Sequence, residues 1–402
     1  MLNKTDPTSS FTLTPGYLIR SAILIACHLL FYQIHSQTIY GENNYIEYSV
    51  GTLPLVISVP HGGNLSPDDI PTRTCNSPTT VTDANTVELG RLIDTAFMNL
   101  TGCHPHMIYC HLRRTKIDCN RPIGDGTCGN ITAEKAWNEF QDFIIAAQKG
   151  AQNHYEEKVF YIDLHGHGHA IQRLELGYLL SDNELERTDA ILNLSQYISN
   201  SSIKNLVESN VHNLSHAELL RGQNALGTLL GNAGFPAVPS EQDPFPGTNT
   251  SYFSGGYNTQ MHTSYIPDNP VNGVQLECNF TNVRDTYTNR KRFADSLASV
   301  ISKYLLIHQN ISFADCSTAT GTTSDKVFPI RVFPNPASDF IRLILPKDYM
   351  KFVVEIKDVL GRTVMKVKNE LNINIEKMPK GNYFISIQTD DHFFSTRRLI
   401  IE

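Results

Sequence analysis

Two apolar runs, "LPLVISVPHGG" at 53–63 and "KVFYIDLHG" at 158–166, each stop abruptly at a histidine followed by glycine. Short runs of this kind, rich in β-branched and aromatic residues, read as strands buried on both faces. Helical spacing lies between them. "TDANTVELGRLIDTAFMNL" repeats apolar residues at Val87, Leu89, Ile93 and Phe97 behind a cap-like Thr82-Asp83, and "TAEKAWNEFQDFIIAAQKGAQNHYEE" is a long amphipathic helix. "TIYGENNYIEYSVG" reads as an entry strand, "HMIYCHL", "LELGYLLS" and "NGVQLECNF" as further strands, and "TYTNRKRFADSLASVISKYLLIH" as a closing helix. Strands alternating with helices predict an α/β fold, a central sheet covered on both faces. Ligands of such sheets sit beyond the carboxyl ends of the strands, where His61 and His165 fall.

The stretch "YIDLHGHGHA" at 161–170 is unusual. In extended backbone, Asp163, His165, His167 and His169 point the same way, and the glycines between them remove bulk. That suits a metal site at the rim of a sheet. The same letters also describe a glycine-rich turn carrying idle histidines.

The chain has 402 residues, 41% hydrophobic and 18% charged, which fits a globular protein of two or three domains. A net charge of −7, with no basic patch interleaved with aromatics, argues against nucleic acid as a partner. Arg20 followed by the apolar Ser21–Tyr32 predicts a signal peptide over residues 1–36. No later segment is long and apolar enough to span a membrane. Export permits disulfides, and Cys103/Cys110 and Cys119/Cys128 are close enough in sequence to pair, although sequence alone does not settle connectivity. A catalytic domain is expected over 37–310 and a linker over 311–326, where "ADCSTATGTTSDK" lacks apolar periodicity. Residues 327–402, short strands broken by "VLGR" and "MPKGNY", predict a small β-sandwich.

Polar residues at element ends supply candidate chemistry. They are His61, Asp83 with Glu88 a turn later, the cluster "RRTKIDCNR", Asp163 with His165, and Glu277. Two histidines, one carboxylate and a water make a catalytic zinc site, and a further carboxylate can act as general base. Arginine and asparagine can grip a substrate carboxylate. Asp83 reads equally as a helix cap.

Two resemblances sharpen this. "FPNPASD", "IKDVLGR", "MPKGNYFISI" and the terminal "RRLIIE" resemble the C-terminal sorting domain of the type IX secretion system. That implies export to the surface or beyond, with the secretion machinery as a partner. "ISVPHGG", "TDANTVEL", "RTKIDCNR", "YIDLHGHG" and "GVQLECN" occur in the order found in N-formylglutamate amidohydrolases, whose fold is related to zinc carboxypeptidases. The resemblance covers roughly residues 50–308 and implies a mixed central sheet flanked by helices, with a zinc cofactor. It implies His61, Asp83 and His165 as zinc ligands, with Glu88 the alternative carboxylate. The acid found three residues after the first histidine in carboxypeptidases is replaced here by Asn64. It further implies Glu277 as the acid that activates water, Arg114 as a holder of a carbonyl or oxyanion, and Asn120 with Arg121 as the substrate-carboxylate pair. Asp163 could orient a ligand imidazole. His167 departs from the family, with pocket lining, donation to an intermediate and substitute ligation all open, and His169 reads as idle. Tyr257 or His262 could reach the substrate. The expectation is a secreted zinc amidohydrolase acting on a small-molecule or peptide substrate. A carboxypeptidase-like or cell-wall amidase, or a surface binding protein on a hydrolase scaffold, are the alternatives.

Overall fold

The computed structural model describes residues 37–156, 158–248, 250–313, 331–344, 351–358, 362–389 and 394–402. The expected signal peptide and most of the expected linker lie outside them. The strands β1 (Thr38–Tyr40), β2 (Ile46–Ser49), β3 (Leu55–Val59), β4 (His106–Cys110), β5 (Phe160–His167), β6 (Leu174–Gly177), β7 (Ala237–Val238) and β8 (Asn272–Asn279) form one sheet. Its order is β1-β2-β4-β3-β5-β8-β6-β7. The central strands β4, β3, β5 and β8 are parallel, while β1, β2 and β4 pair antiparallel, as do β8 and β6. The sheet is therefore mixed. The expected entry strand is a hairpin of two.

Alternation along the central strands divides the core. Ile57, Val59, Ile162, Leu164 and Leu276 pack beneath helix α1 (Thr86–Thr101) and helix α3 (Tyr287–Gln309), which contribute Leu89, Ile93, Phe97, Phe293, Leu297 and Ile301. The intervening residues Val56, Ile108 and Tyr161 face helix α2 (Ile131–Tyr155), which brings Ala133, Trp137, Phe140 and Ile144 at helical spacing. Asn130 caps α2 by accepting the Ala133 N–H at 2.9 Å. Each large apolar side chain buried this way contributes roughly 1.5–3 kcal/mol.

On the α2 face the character changes toward the carboxyl ends. In register across the strands lie Ser58, Asp163 and Gln275, and one pleat further His165, Glu277 and Glu175. The sheet thus carries an apolar half that holds the fold and a polar rim that holds chemistry.

Strands β2 and β4 contribute another buried polar pair. His106 is 3% exposed, and its Nδ1 accepts from the Tyr48 hydroxyl at 2.7 Å and the Gly51 N–H at 3.3 Å. Burial pushes the ring down to about 3, so it folds neutral. The unfolded chain binds a proton near pH 6.5 that the folded chain refuses. The stabilisation is complete above pH 6.5 and drains away as pH falls toward 3, at roughly 1.4 kcal/mol per pH unit. His106→Gln keeps an acceptor without titrating. Urea unfolding across this range is expected to show a correspondingly flatter acid limb. An unchanged slope refutes the assignment.

The C-terminal residues form two antiparallel sheets, ordered β13-β10-β9 and β12-β11-β14-β15, from β9 (Arg331–Phe333), β10 (Phe340–Ile344), β11 (Phe352–Asp358), β12 (Thr363–Lys368), β13 (Asn372–Asn374), β14 (Gly381–Thr389) and β15 (Phe394–Ile401). Ile341 and Leu343 from one sheet share a core with Val354, Ile356, Ile385, Ile387 and Leu399 from the other, which makes a small sandwich.

Cysteine pairing differs from expectation. Cys75 is bonded to Cys128, and Cys103 is also disulfide-bonded. Cys110, Cys119 and Cys278 are free and buried in the sheet's surroundings. Sequence proximity misled because Cys119 turns inward into the α2 core while Cys128 faces the loop that carries Cys75.

Candidate metal centre

His61 follows Pro60 just past β3, and His165 lies within β5 near its end. Asp83 sits in the loop before α1, tied to the first histidine by its N–H donating to His61 O at 3.0 Å. It does not cap the helix. The N-cap is Asn85, in left-handed backbone at φ 67°, and makes no side-chain cap bond. That leaves the Asp83 carboxylate turned inward. One nitrogen of each histidine and one Asp83 oxygen lie within 4.8 Å of one another, all buried. Asp83 Oδ2 is 3.2 Å from His165 Nδ1 and 3.5 Å from His61 Nδ1.

The opposite ring nitrogens are each held by a second carboxylate. His61 Nε2 donates to Asp118 Oδ1 at 2.6 Å, and His165 Nε2 to Asp163 Oδ2 at 2.8 Å. Both Nδ1 atoms consequently face Asp83. Carboxylates behind imidazoles are the usual way to fix the tautomer and orientation of metal-ligating histidines. Asp163 was expected in such a place; Asp118 was not. Its outer oxygen accepts from Arg114 Nε at 3.0 Å, with Arg73 Nη2 at 3.6 Å.

The donor set fits a divalent cation. His61 Nδ1 is buried, aimed at Asp83, and has no hydrogen-bond partner. Four carboxylates, Asp83, Asp118, Asp163 and Glu277, surround two imidazoles. Burial alone would raise Asp83, but the hydrogen bond from His165 and the nearby His61 ring outweigh it and hold it far below the usual carboxylate range. Burial likewise works against the His165 cation, yet Asp163 and Asp83 overcome it and push that ring well up. The pocket concentrates negative charge that a cation would balance.

A cavity of about 400 Å³ opens beside these residues. It is lined by His61, Asp83 and His165, and by Arg114, Asn120, Arg121, Tyr257 and Glu277. His167 is not among the lining residues; its ring donates from Nε2 to Arg173 O at 2.8 Å. His262 is buried against Gln141, also outside the cavity. Glu88 is exposed and lines a different hollow with Glu47 and His111. Of the two carboxylates left open as ligands, only Asp83 lies with the histidines.

Glu277 is 4% exposed, and burial pushes its carboxyl up to about 8. Gln275 Nε2 donates to its Oε1 at 2.9 Å, while Oε2 is buried without a partner. Gln275 Oε1 in turn accepts from Asn120 Nδ2 at 3.3 Å. Asn120 Oδ1 accepts the Asn258 N–H at 2.8 Å, which fixes the amide orientation. Its Nδ2 lies 3.2 Å from His165 Nε2, whose own proton goes to Asp163.

Arg284 locks the three segments together. Its guanidinium, 3% exposed, donates to Cys278 O at 2.9 Å, to His167 O at 2.9 Å and to Ala84 O. Those carbonyls neighbour Glu277, His165 and Asp83. The role of Gly166 follows, because a Cβ there would run into this guanidinium.

Comparison with known proteins adds the following. Residues 331–402 match the family described as Secretion system C-terminal sorting domain. The tail is a sorting domain. The chain is exported through type IX secretion to the cell surface or the exterior. No curated protein matches the chain. Among solved structures it is similar to an N-formylglutamate amidohydrolase from Ralstonia eutropha JMP134, with 12% identity over 64% of this chain and 95% of that one, at a TM-score of 0.38. It is also similar to a metallo-carboxypeptidase from Pseudomonas aeruginosa, with 11% identity over 72% of this chain and 68% of that one, at a TM-score of 0.31. At these scores neither likeness fixes an activity. Among the described residues no helix is long and apolar enough to cross a membrane.

If Asp118 orients His61 toward a cation, Asp118→Asn is expected to weaken zinc binding by about 10- to 100-fold. Competition with a chromophoric chelator measures it. Unchanged affinity would reduce Asp118 to an anchor for Arg73 and Arg114.

Proposed function

We propose that the α/β domain is a zinc-dependent amide hydrolase acting on an N-acyl amino acid or peptide that carries a carboxylate. The observation behind this reading is the convergence of His61 Nδ1, His165 Nδ1 and Asp83 Oδ2 beside the partnerless Oε2 of Glu277, in a cavity with guanidinium and amide donors on its wall.

His61, Asp83 and His165 would hold the zinc, which when bound supplies Lewis acidity and lowers the pKa of water. Two imidazoles, whose Nδ1 protons metal ligation would displace, and one carboxylate are a donor set that zinc accepts with a position open. Beside a bound cation Glu277 would hold the ionised carboxylate that burial alone disfavours, and it would then take a proton from the attacking water at Oε2 and deliver it to the leaving nitrogen. Gln275 keeps the other carboxylate oxygen occupied, so the proton is handled at one atom. Arg114, on the cavity wall with its Nε held by Asp118, would donate to the developing oxyanion through its terminal N–H groups. Asn120 and the exposed guanidinium of Arg121, both on the cavity wall, would bind the substrate carboxylate and set which amide reaches Glu277. Tyr257 also lines the cavity, tilted against Trp137 at 5.8 Å.

The test is hydrolysis by the zinc-loaded, purified protein of N-acyl amino acids and of peptides with a free carboxyl end, with both products identified. Release of an acid and a free amino acid supports the amidohydrolase, and stepwise release from peptide ends supports a peptidase on the same residues. Binding without turnover of either class overturns the enzyme reading in favour of a surface binding protein.

A further inference from the structure

The alternating histidines serve two places. We propose that His167, His169 and Glu175 form a second divalent-cation site, of the zinc type, separate from the His61 cluster. One donor atom from each lies within 4.8 Å of the others. No residue is shared with the first cluster.

Each donor is built for the task. His167, 3% exposed, gives its Nε2 proton to Arg173 O at 2.8 Å, so its Nδ1 carries a lone pair. A backbone carbonyl behind an imidazole is a common support for a metal-ligating ring. That Nδ1 accepts the His169 N–H at 3.1 Å, a local contact that a cation bond replaces. His169 Nδ1 lies 2.8 Å from Glu175 Oε1, with a proton between them. Metal ligation displaces such protons. Glu175 is 1% exposed, and its second oxygen accepts the Phe253 N–H at 2.8 Å, which leaves Oε1 directed at His169. The His169 side chain is 21% exposed and gives the site a route to solvent. Two imidazoles and one carboxylate, with water completing a tetrahedron, select zinc over calcium or magnesium.

The placement indicates what this cation would do. Glu175 is the register neighbour of Glu277, which is the register neighbour of His165. The two clusters therefore stand side by side on one sheet face. The Phe253 ring stacks on His169 at 4.6 Å and 19°, and Phe253 also lines the main cavity. A cation here would clamp the end of β5, the start of β6 and the Phe253 loop, and so fix one wall of the cavity. Its role is structural.

The experiment is equilibrium dialysis of the full chain against zinc alone, followed by elemental analysis. Expected are two equivalents in the wild type, and one each in His169→Ala, Glu175→Gln and His61→Ala. Two variants of the proposed site guard against one that misfolds. Two equivalents retained in both His169→Ala and Glu175→Gln overturn the proposal, as does a single wild-type equivalent that His61→Ala removes. A single wild-type equivalent that survives His61→Ala and disappears in His169→Ala would uphold this site and defeat the first one instead. No zinc in the wild type defeats both.

Discussion

His165→Ala is expected to lose the zinc of the His61 cluster and, with it, all measurable hydrolysis. On the proposed ligation the ring supplies one of three donors, and the two that remain would not hold the cation at the same affinity. It also separates two buried carboxylates, Asp83 at 3.2 Å and Asp163 at 2.8 Å, which are 7% and 0% exposed. Removing it strands both charges, and uncompensated buried charge costs roughly 3–5 kcal/mol. A loss of zinc in this variant alone would therefore be ambiguous between ligation and unfolding. The double variant His165→Ala/Asp163→Asn resolves it. Neutralising Asp163 removes one stranded charge, so the melting temperature should recover much of its fall while the zinc stays absent. The Ser58 hydroxyl and the Asn258 amide, which both donate to Asp163 Oδ1, keep a partner in the asparagine side-chain oxygen. Zinc content that stays at the wild-type level in His165→Ala would end its assignment as a ligand.

Much of the fold was legible because the strands are short, apolar and punctuated. "LVISV" and "FYIDL" stop where His61 and His165 begin, and the register of β5 against β8 then places His165 opposite Glu277. The long helices α1, α2 and α3 were readable from spacing alone. The region between β6 and β7 was not. It contains six short helices from Asp182 to Asn232, too brief for an apolar period to show. Two of them carry a start signal that the sequence reading passed over. Ser181 with Glu184, and Ser215 with Glu218, form capping boxes of the S-x-x-E type. Asp118 was missed for a different reason. It lies inside "RTKIDCNR" among residues that attract attention as substrate contacts, and its service to His61 crosses 57 positions of sequence. An acid buried beside two arginines needs a reason, and that was the available signal. His169 read as idle because nothing local reveals Glu175, six residues on and brought back by the reversal into β6.

Glu277→Gln is expected to lower kcat by about 100- to 10,000-fold, the usual weight of a general base. KM and zinc content should stay close to wild type. The substitution is nearly isosteric. It can keep an oxygen for the Gln275 N–H while replacing the partnerless Oε2 with an amide nitrogen that cannot accept a proton. Burial already disfavours the charged form of this side chain, so the amide should fold at least as stably as the carboxylate. A drop in kcat at constant KM, zinc content and melting temperature would mean that the chemistry itself needs Oε2. A rise in KM with kcat unchanged would make Glu277 a binding group. A kcat within about tenfold of wild type would remove it as the base, since an essential general base is worth at least ~100-fold. The next candidate would have to come from the same cavity wall, where Asp83 is committed to the histidines and Tyr257 stands furthest from them in chemical character. Burial pushes the Tyr257 hydroxyl up, which disfavours it as a proton acceptor at neutral pH. The cavity wall therefore offers one carboxylate suited to the proton transfer, and the measurement on Glu277→Gln decides whether that carboxylate is the base.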